Sequence, residues 1–264
     1  MHAFEYIRPA SVADAAAKRS ANDDSTYLAG GMTLIPTLKQ RLAQPSQLLD
    51  LGGITELKGI TLKDGVLTIG AMTCHADVAA SGDVKKSVPA LAVLAGSIGD
   101  PQVRNRGTLG GSIANSDPSA DYPAAVVGLS ATVHTNKRQI SGDQFFKGLF
   151  ETALEPGELI VKVSFPTPKR AAYMKFPNPA SRYAVVGVMV AETATGIRVA
   201  VTGAGACAFR IPAMEAALAK SFSADAIKNI TVPAGDLNND MHATAEYRAH
   251  LVGVMAKRAI AAIA

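Results

Sequence analysis

The period of apolar and polar positions changes along the chain, and each change marks an element. Residues 4–8 read as a short strand, and Ser11 then stands as N-cap of a helix. Asp14, three positions on, is an acidic variant of the capping box. Residues 26–29 are a second strand that stops at Gly30-Gly31, a short helix spans 33–41, and residues 48–51 are a third strand. The first fifty residues therefore begin as β-α-β. Residues 57–62, Lys63-Asp64-Gly65 and residues 66–69 predict a hairpin, because Asp-Gly suits a tight primed turn. Thr73 is expected to cap a helix through Ala80, and residues 89–98 form another.

From residue 100 to 123 the periodicity disappears and Gly, Asn, Asp, Ser and Pro accumulate. The pattern predicts a long loop, and long loops inside compact domains are usually functional. Strands resume at 131–134, 138–140 and 159–165. Pro166-Thr-Pro-Lys-Arg170 reads as a linker, with two prolines and two basic residues between strand-like segments. Beyond it, residues 173–176, 184–191 and 197–201 predict an antiparallel sheet, and helices follow near 212–220, 224–229 and 243–263. In the last helix Tyr247, Leu251, Val254, Met255 and Ala262 share a face, interrupted by Arg258. The pattern as a whole predicts an α+β fold in two domains, residues 1–170 and a smaller one at 171–264.

Composition narrows the function. Hydrophobic residues make up 48% and charged residues 18%, which supplies a core and argues against disorder. The formal net charge of +4 is scattered, with no basic block, so nucleic-acid binding gains no support. Two cysteines, Cys74 and Cys207, are too few for a disulfide scaffold or a four-cysteine metal or iron–sulfur site. Both read as small core residues. The start lacks a signal-peptide pattern, and the longest apolar run, residues 184–191, is far short of a membrane span. A cytoplasmic, reducing compartment is the expectation.

Two segments carry candidate chemistry. Leu28, Ala29, Gly30, Gly31, Met32 and Thr33 resemble Thr108, Leu109, Gly110, Gly111 and Ser112: each has a Gly-Gly pair after apolar residues and a hydroxyl within two positions. Glycines admit positive φ, so successive backbone N–H groups can converge on an anion. A helix starting after the first pair would add its dipole. The alternative is a pair of tight turns, and Gly52-Gly53 fits the same loose pattern. No G-x-G-x-x-G follows the strand at Ala29 and no G-K-[ST] occurs, which removes the Rossmann and P-loop readings. Behind the second pair, Asp117 and Asp121 are either turn residues or acceptors for ribose or ribityl hydroxyls. His75 at a helix start reads as a surface or capping residue.

Seven motifs in order extend the pattern: Ala29-Gly-Gly-Met-Thr33, Ile69-Gly-Ala-Met-Thr73, Asp100-Pro-Gln-Val-Arg104, Gly107-Thr-Leu-Gly-Gly111, Asn115-Ser-Asp-Pro-Ser-Ala-Asp121, Glu155-Pro-Gly-Glu158 and Ala245-Glu-Tyr-Arg248. With them the chain resembles the FAD-binding medium subunit of molybdenum hydroxylases, of the aerobic carbon monoxide dehydrogenase and xanthine dehydrogenase kind, from Phe4 almost to the end. The resemblance implies a two-part FAD-binding domain of the vanillyl-alcohol-oxidase type followed by a small C-terminal α+β domain. It implies that Leu28, Ala29, Gly30, Gly31, Met32, Thr33, Leu34 and Ile35 grip the FAD pyrophosphate together with Thr108, Leu109, Gly110, Gly111 and Ser112. Asp121 maps onto the family's acidic position. Ile98 resembles a further cofactor contact, and Ile160 an apolar contact on the adenine side. Lys175 resembles a basic residue near the flavin, and Tyr183 an aromatic covering the ring.

Two positions depart from the pattern. Relatives often have His where this chain has Met32, and Asn where it has Ser112. Neither matching loop contains His or Cys, so the expected FAD is non-covalent, with no metal or iron–sulfur cluster in this chain. The resemblance further implies an electron-transfer role beside a small subunit with two [2Fe–2S] clusters and a large molybdenum-cofactor subunit, as a dimer of heterotrimers. A flavin-less assembly module and a stand-alone flavin oxidase are the alternatives.

Overall fold

The structure is a computed structural model that describes residues 1–263. The chain begins with a parallel sheet in the spatial order Glu5–Ile7, Gln47–Asp50, Ser25–Leu28. Parallel neighbours need crossovers, and the helices Val12–Ala21 and Leu34–Lys39 provide them. The first helix starts where the pattern places it: the Ser11 hydroxyl accepts from the Asp14 N–H at 3.1 Å, and the Asp14 carboxylate accepts from the Ala10 N–H at 2.9 Å.

A five-stranded antiparallel sheet follows, in the order Ile60–Lys63, Val66–Gly70, Ile160–Pro166, Thr132–Thr135, Gln139–Ser141. The third sheet pairs Arg170–Pro177, Ala184–Thr193, Gly196–Thr202 and Phe209–Arg210 antiparallel. Its strand Ala184–Thr193 meets the helix Ala245–Ile263 and also the helix Tyr122–Gly128. Both sides of that strand are covered, which explains its unbroken apolar run. Helix and sheet approach closely at Gly128, where a Cβ would lie 2.6 Å from Met189 Cγ. Tyr173, Met189, Ala191 and Ala200 accordingly belong to the core of the middle sheet, while Val186, Val188 and Val190 face a separate core with Leu251, Val252 and Met255.

The supposed linker is short and strapped down. Three residues separate the strands, and Lys169 and Arg170 both pair with Glu192, at 2.9 and 2.7 Å. Four other expectations are corrected. Residues 100–123 are not a loop but contain the helices Pro101–Arg106 and Leu109–Asn115 and the start of Tyr122–Gly128. Each has six or seven residues, under two turns, too short for a period to show. Their starts are marked instead by caps: Asp100 Oδ1 accepts from the Val103 N–H at 2.8 Å, and Thr108 Oγ1 from the Gly111 N–H at 3.1 Å.

Thr73 is not the cap of the helix His75–Ala80, because its hydroxyl exchanges hydrogen bonds with the N–H and carbonyl of Gly59. The last helix buries Arg248, Leu251, Val252, Met255, Ala256, Ala259 and Ile260, whereas Tyr247 and Ala262 are exposed. The face is rotated because Arg248 goes inside, where its guanidinium donates to the Val185 and Gly203 carbonyls at 2.7 and 2.9 Å and pairs with Asp240. Cys74 and Cys207 are half-buried and unbridged; Cys207 packs against the edge of the core, whereas Cys74 is not a core residue. No helix of the described residues is long and apolar enough to cross a membrane.

Candidate functional site

Where the three sheets meet, a cavity of about 560 Å³ opens. The first sheet contributes Tyr27 and the loop after it, the middle sheet Ile160 and the turn at Met72 after its strand Val66–Gly70, and the loop between the first two strands of the third sheet Arg182 and Tyr183. Fourteen of the eighteen residues that the resemblance marks as cofactor contacts line it: Ala29, Gly30, Gly31, Met32, Thr33, Leu34, Ile98, Thr108, Gly110, Gly111, Ser112, Asp121, Ile160 and Tyr183. Leu28, Ile35, Leu109 and Lys175 stand behind the wall.

The first glycine loop is an open row of donors. Gly31 has φ +74°, which turns the chain between the strand Ser25–Leu28 and the helix Leu34–Lys39. Leu28 and Ile35 pack beneath it; a Cβ on Gly31 would lie 2.9 Å from Ile35 Cγ1 and 3.3 Å from Leu28 Cδ1. Among the described residues the N–H groups of Gly30, Gly31, Met32, Thr33 and Leu34 have no protein acceptor, and the Thr33 side chain provides no cap. Consecutive unpaired amides at a cavity wall require an outside acceptor.

The second glycine pair is built differently. It lies inside the first turn of the helix Leu109–Asn115, and neither glycine has positive φ. Its amides are already spent: Leu109 on Thr73 O, Gly110 on Ala71 O, Gly111 on Thr108 Oγ1 and Ser112 on Thr108 O, at 2.8 to 3.1 Å. The sequence reading of two equivalent nests is corrected here. What the second pair gives is closeness, since a Cβ on Gly110 would sit 2.6 Å from Ala71 Cβ. The Ser112 hydroxyl is left to face the cavity. Gly52-Gly53, the third pair, is a 3-10 turn with the Gly52 N–H on Asp50 Oδ1 at 2.8 Å.

Charge around the cavity is mostly negative. Asp100, Asp117, Asp121 and Glu158 line it, against Arg182 as the cationic side chain among the described lining residues. Glu158 is held at about 2: burial pushes it up, but hydrogen bonds from Arg138, the Glu155 N–H and Thr135 outweigh that. Burial raises Asp117, against one hydrogen bond from the Ser119 N–H at 2.8 Å. Asp117 is therefore both a turn residue and a cavity residue. Asp121 is buried, and burial raises it, opposed by Lys175 and by the Tyr173 hydroxyl that donates to it. Lys175 donates to Asp121 at 3.1 Å and to the Ser97 carbonyl at 3.0 Å, with its side chain 7% exposed. The ammonium thus neutralises a carboxylate of the wall. Tyr183 sits at the rim, 46% exposed, on a loop whose Arg182 has φ +63°.

Sequence reasoning missed His75 as a wall residue. It is buried, not a surface residue: its backbone N–H bonds to the Gly107 carbonyl at 3.0 Å, 32 positions away, and its ring packs between Tyr122 and Gly107. Glu158 was legible only as part of a motif, and Arg182 carried no signal.

Comparisons with known proteins agree with this geometry. The family described as the FAD binding domain in molybdopterin dehydrogenase matches residues 2–168. The chain is 36% identical to the carbon monoxide dehydrogenase medium chain of Hydrogenophaga pseudoflava, covering 97% of this chain and 96% of that one. It is 34% identical to the nicotine 6-hydroxylase medium subunit of Paenarthrobacter nicotinovorans, covering 98% and 96%. A chain of reconstituted carbon monoxide dehydrogenase from Oligotropha carboxidovorans superposes with a TM-score of 0.92 at 31% identity, covering 100% and 99%. The chain belongs to the family of FAD-binding domains of molybdopterin dehydrogenases and is a homologue of their medium chains.

Proposed function

We propose that this chain is the FAD-binding electron-transfer subunit of a molybdenum-containing hydroxylase complex, which takes electrons from iron–sulfur clusters and passes them to an external acceptor. The observation that carries the reading is the row of five unpaired amides, Gly30 to Leu34, along the cavity. A diphosphate answers that row: it brings several acceptor oxygens and negative charge to a wall of backbone donors beside a helix start. Arg182 is the cationic side chain among the described lining residues, so the anion would be met mainly by N–H groups.

Thr33 and Ser112 would add hydroxyl donors, and Ile98 and Ile160 apolar surface. Asp121 would accept from sugar or ribityl hydroxyls, kept in place by Lys175 and Tyr173. Tyr183 at the rim would cover the ring and limit solvent access. When bound, the flavin supplies the redox chemistry, while the chain supplies binding, orientation and electrostatics. Neither cysteine lines the cavity, which supports non-covalent binding, with no cluster carried by this chain. The boundary near residue 170 is retained, supported by the end of the family match at residue 168.

The named relatives are medium chains or subunits of larger enzymes. We extend that to a cytoplasmic assembly with a small subunit bearing two [2Fe–2S] clusters and a large molybdenum subunit, as a dimer of heterotrimers. The purified chain should be yellow and release unmodified FAD on denaturation. A folded, colourless chain that takes up no added FAD would overturn the flavin reading. Co-purification with molybdenum- and iron-containing chains tests the assembly.

A further inference from the structure

His75 is a buried wall residue whose chemistry the proposed cofactor contacts leave unused. It is 4% exposed and is the first residue of the helix His75–Ala80. Its backbone N–H donates to the Gly107 carbonyl, which fixes it against the strip that leads into the second glycine loop. Burial lowers the ring to about 4, so at neutral pH it is uncharged and carries a single N–H. Nδ1 is sealed from solvent and has no partner. On that inner side the ring meets Tyr122, 5.3 Å away between centroids and tilted by 44°, and the Tyr122 hydroxyl is likewise buried without a partner.

Nε2 has a different setting. It lies beside Gly107, where a Cβ would come within 2.6 Å of it, and both residues line the cavity. Glycine at 107 therefore keeps the ring edge uncovered. A buried N–H without an acceptor is rarer than an acceptor left bare. The tautomer with the proton on Nε2 puts the bare nitrogen inside and the donor at the cavity.

We propose that His75 is a further cofactor contact, its Nε2–H donating a hydrogen bond to an acceptor oxygen of the dinucleotide held in the cavity. The inference rests on the FAD reading above. It adds a side-chain donor on the wall formed by Gly107, away from the amide row of the first loop. Because the ring is neutral, the contact supplies direction rather than charge, and it fixes the cofactor's position by one defined donor. The acceptor is either a diphosphate oxygen or an oxygen of the flavin and ribityl part.

Binding of FAD, followed by absorbance or fluorescence titration of the apo chain, tests this without any turnover. Wild type, H75F and H75Q are compared, with circular dichroism confirming that each is folded. Phenylalanine keeps the ring and removes the donor, whereas glutamine restores an N–H. The expected result is FAD affinity weakened roughly ten-fold or more in H75F and largely kept in H75Q. An H75A variant guards against misfitting side chains: added imidazole should recover FAD affinity there. Titration with ADP locates the acceptor. A parallel loss for ADP indicates a diphosphate oxygen, and a loss confined to FAD indicates the flavin and ribityl part. Equal affinity in wild type and H75F, or equal loss in H75F and H75Q with no imidazole rescue in H75A, would overturn the proposal. Failure of wild type itself to bind FAD would instead overturn the reading beneath it.

Discussion

Gly30-Gly31 and Gly110-Gly111 stand on the same cavity with similar neighbours in sequence, yet they do opposite things with their backbones. At the first pair the chain turns through a left-handed glycine and leaves five N–H groups without an acceptor. At the second it enters a helix, and every amide of the first turn is satisfied within the protein. What the pairs share is a missing Cβ. Gly30 is pressed against the Arg106 carbonyl, Gly110 against Ala71. A Gly-Gly dipeptide reports a place where a side chain does not fit. Whether that place binds an anion depends on where the amides go.

The largest effect should come from filling those two spaces. A Cβ on Gly30 would lie 2.0 Å from Arg106 O, and backbone on both sides leaves little room to relax. Gly30→Ala and Gly110→Ala are each expected to destabilise the apo chain by about 3 kcal/mol, read by urea unfolding. Gly31→Ala should cost only about 1–2 kcal/mol, mainly for its positive φ, because Ile35 is a flexible neighbour. A neutral Gly110→Ala would break the account of the second pair as a close-packing device. Valine at Gly30 tests nothing about anions, because the fold fails first.

Acid should act next, through the wall beside the second pair. His75 is neutral in the fold down to about 4, while an unfolded imidazole takes up its proton from about 6.5. The folded pKa is the lower one, so this stability is present above 6.5 and is lost as pH falls toward 4. The loss is expected to approach about 3 kcal/mol. H75F should flatten the stability profile across that window; an unchanged slope would show that another group titrates there.

Ligand removal tests the comparison most directly. FAD at a hundred-fold excess over its Kd should stabilise the chain by about 2.7 kcal/mol. Hydrogen exchange should locate the gain unevenly. The amides from Gly30 to Leu34 are expected to become strongly protected on FAD addition, and those of Leu109 to Ser112 to change little, since they are already bonded. Equal protection at both loops would erase the distinction drawn between them.

These differences also show what the amino-acid order could reveal. Alternation and capping placed the parallel sheet, the hairpin and the antiparallel C-terminal sheet, because each rests on local pattern. The three helices near residues 101–128 escaped because each is shorter than two turns, so only the caps Asp100 and Thr108 and the prolines Pro101 and Pro123 announced them. Arg248 was legible only as the end of the motif Ala245-Glu-Tyr-Arg248, because a charged residue is not expected on the buried face of a helix. Its partners, the Val185 and Gly203 carbonyls, come from strand and turn backbone that no local pattern displays. The glycine loops were legible as a pair, but their opposite roles were not, since the acceptors for Leu109 and Gly110 are the Thr73 and Ala71 carbonyls, far back in the chain.

The smallest expected effect is the sharpest about the second loop. With its amides spent, that loop can give a bound diphosphate only the Ser112 hydroxyl, which makes no hydrogen bond among the described residues, and the shape of its glycines. Ser112→Ala deletes one donor and nothing that packs. It should leave apo stability unchanged and weaken FAD by about 0.5–1.5 kcal/mol, the net worth of a single hydrogen bond. Isothermal titration can resolve such a change. A loss far above that range would mean that the helix start at Leu109 is opened by the ligand, so that amides now bonded to Ala71 and Thr73 turn outward. No loss at all would leave the second pair with shape as its whole contribution, and the first loop as the sole phosphate grip of the two.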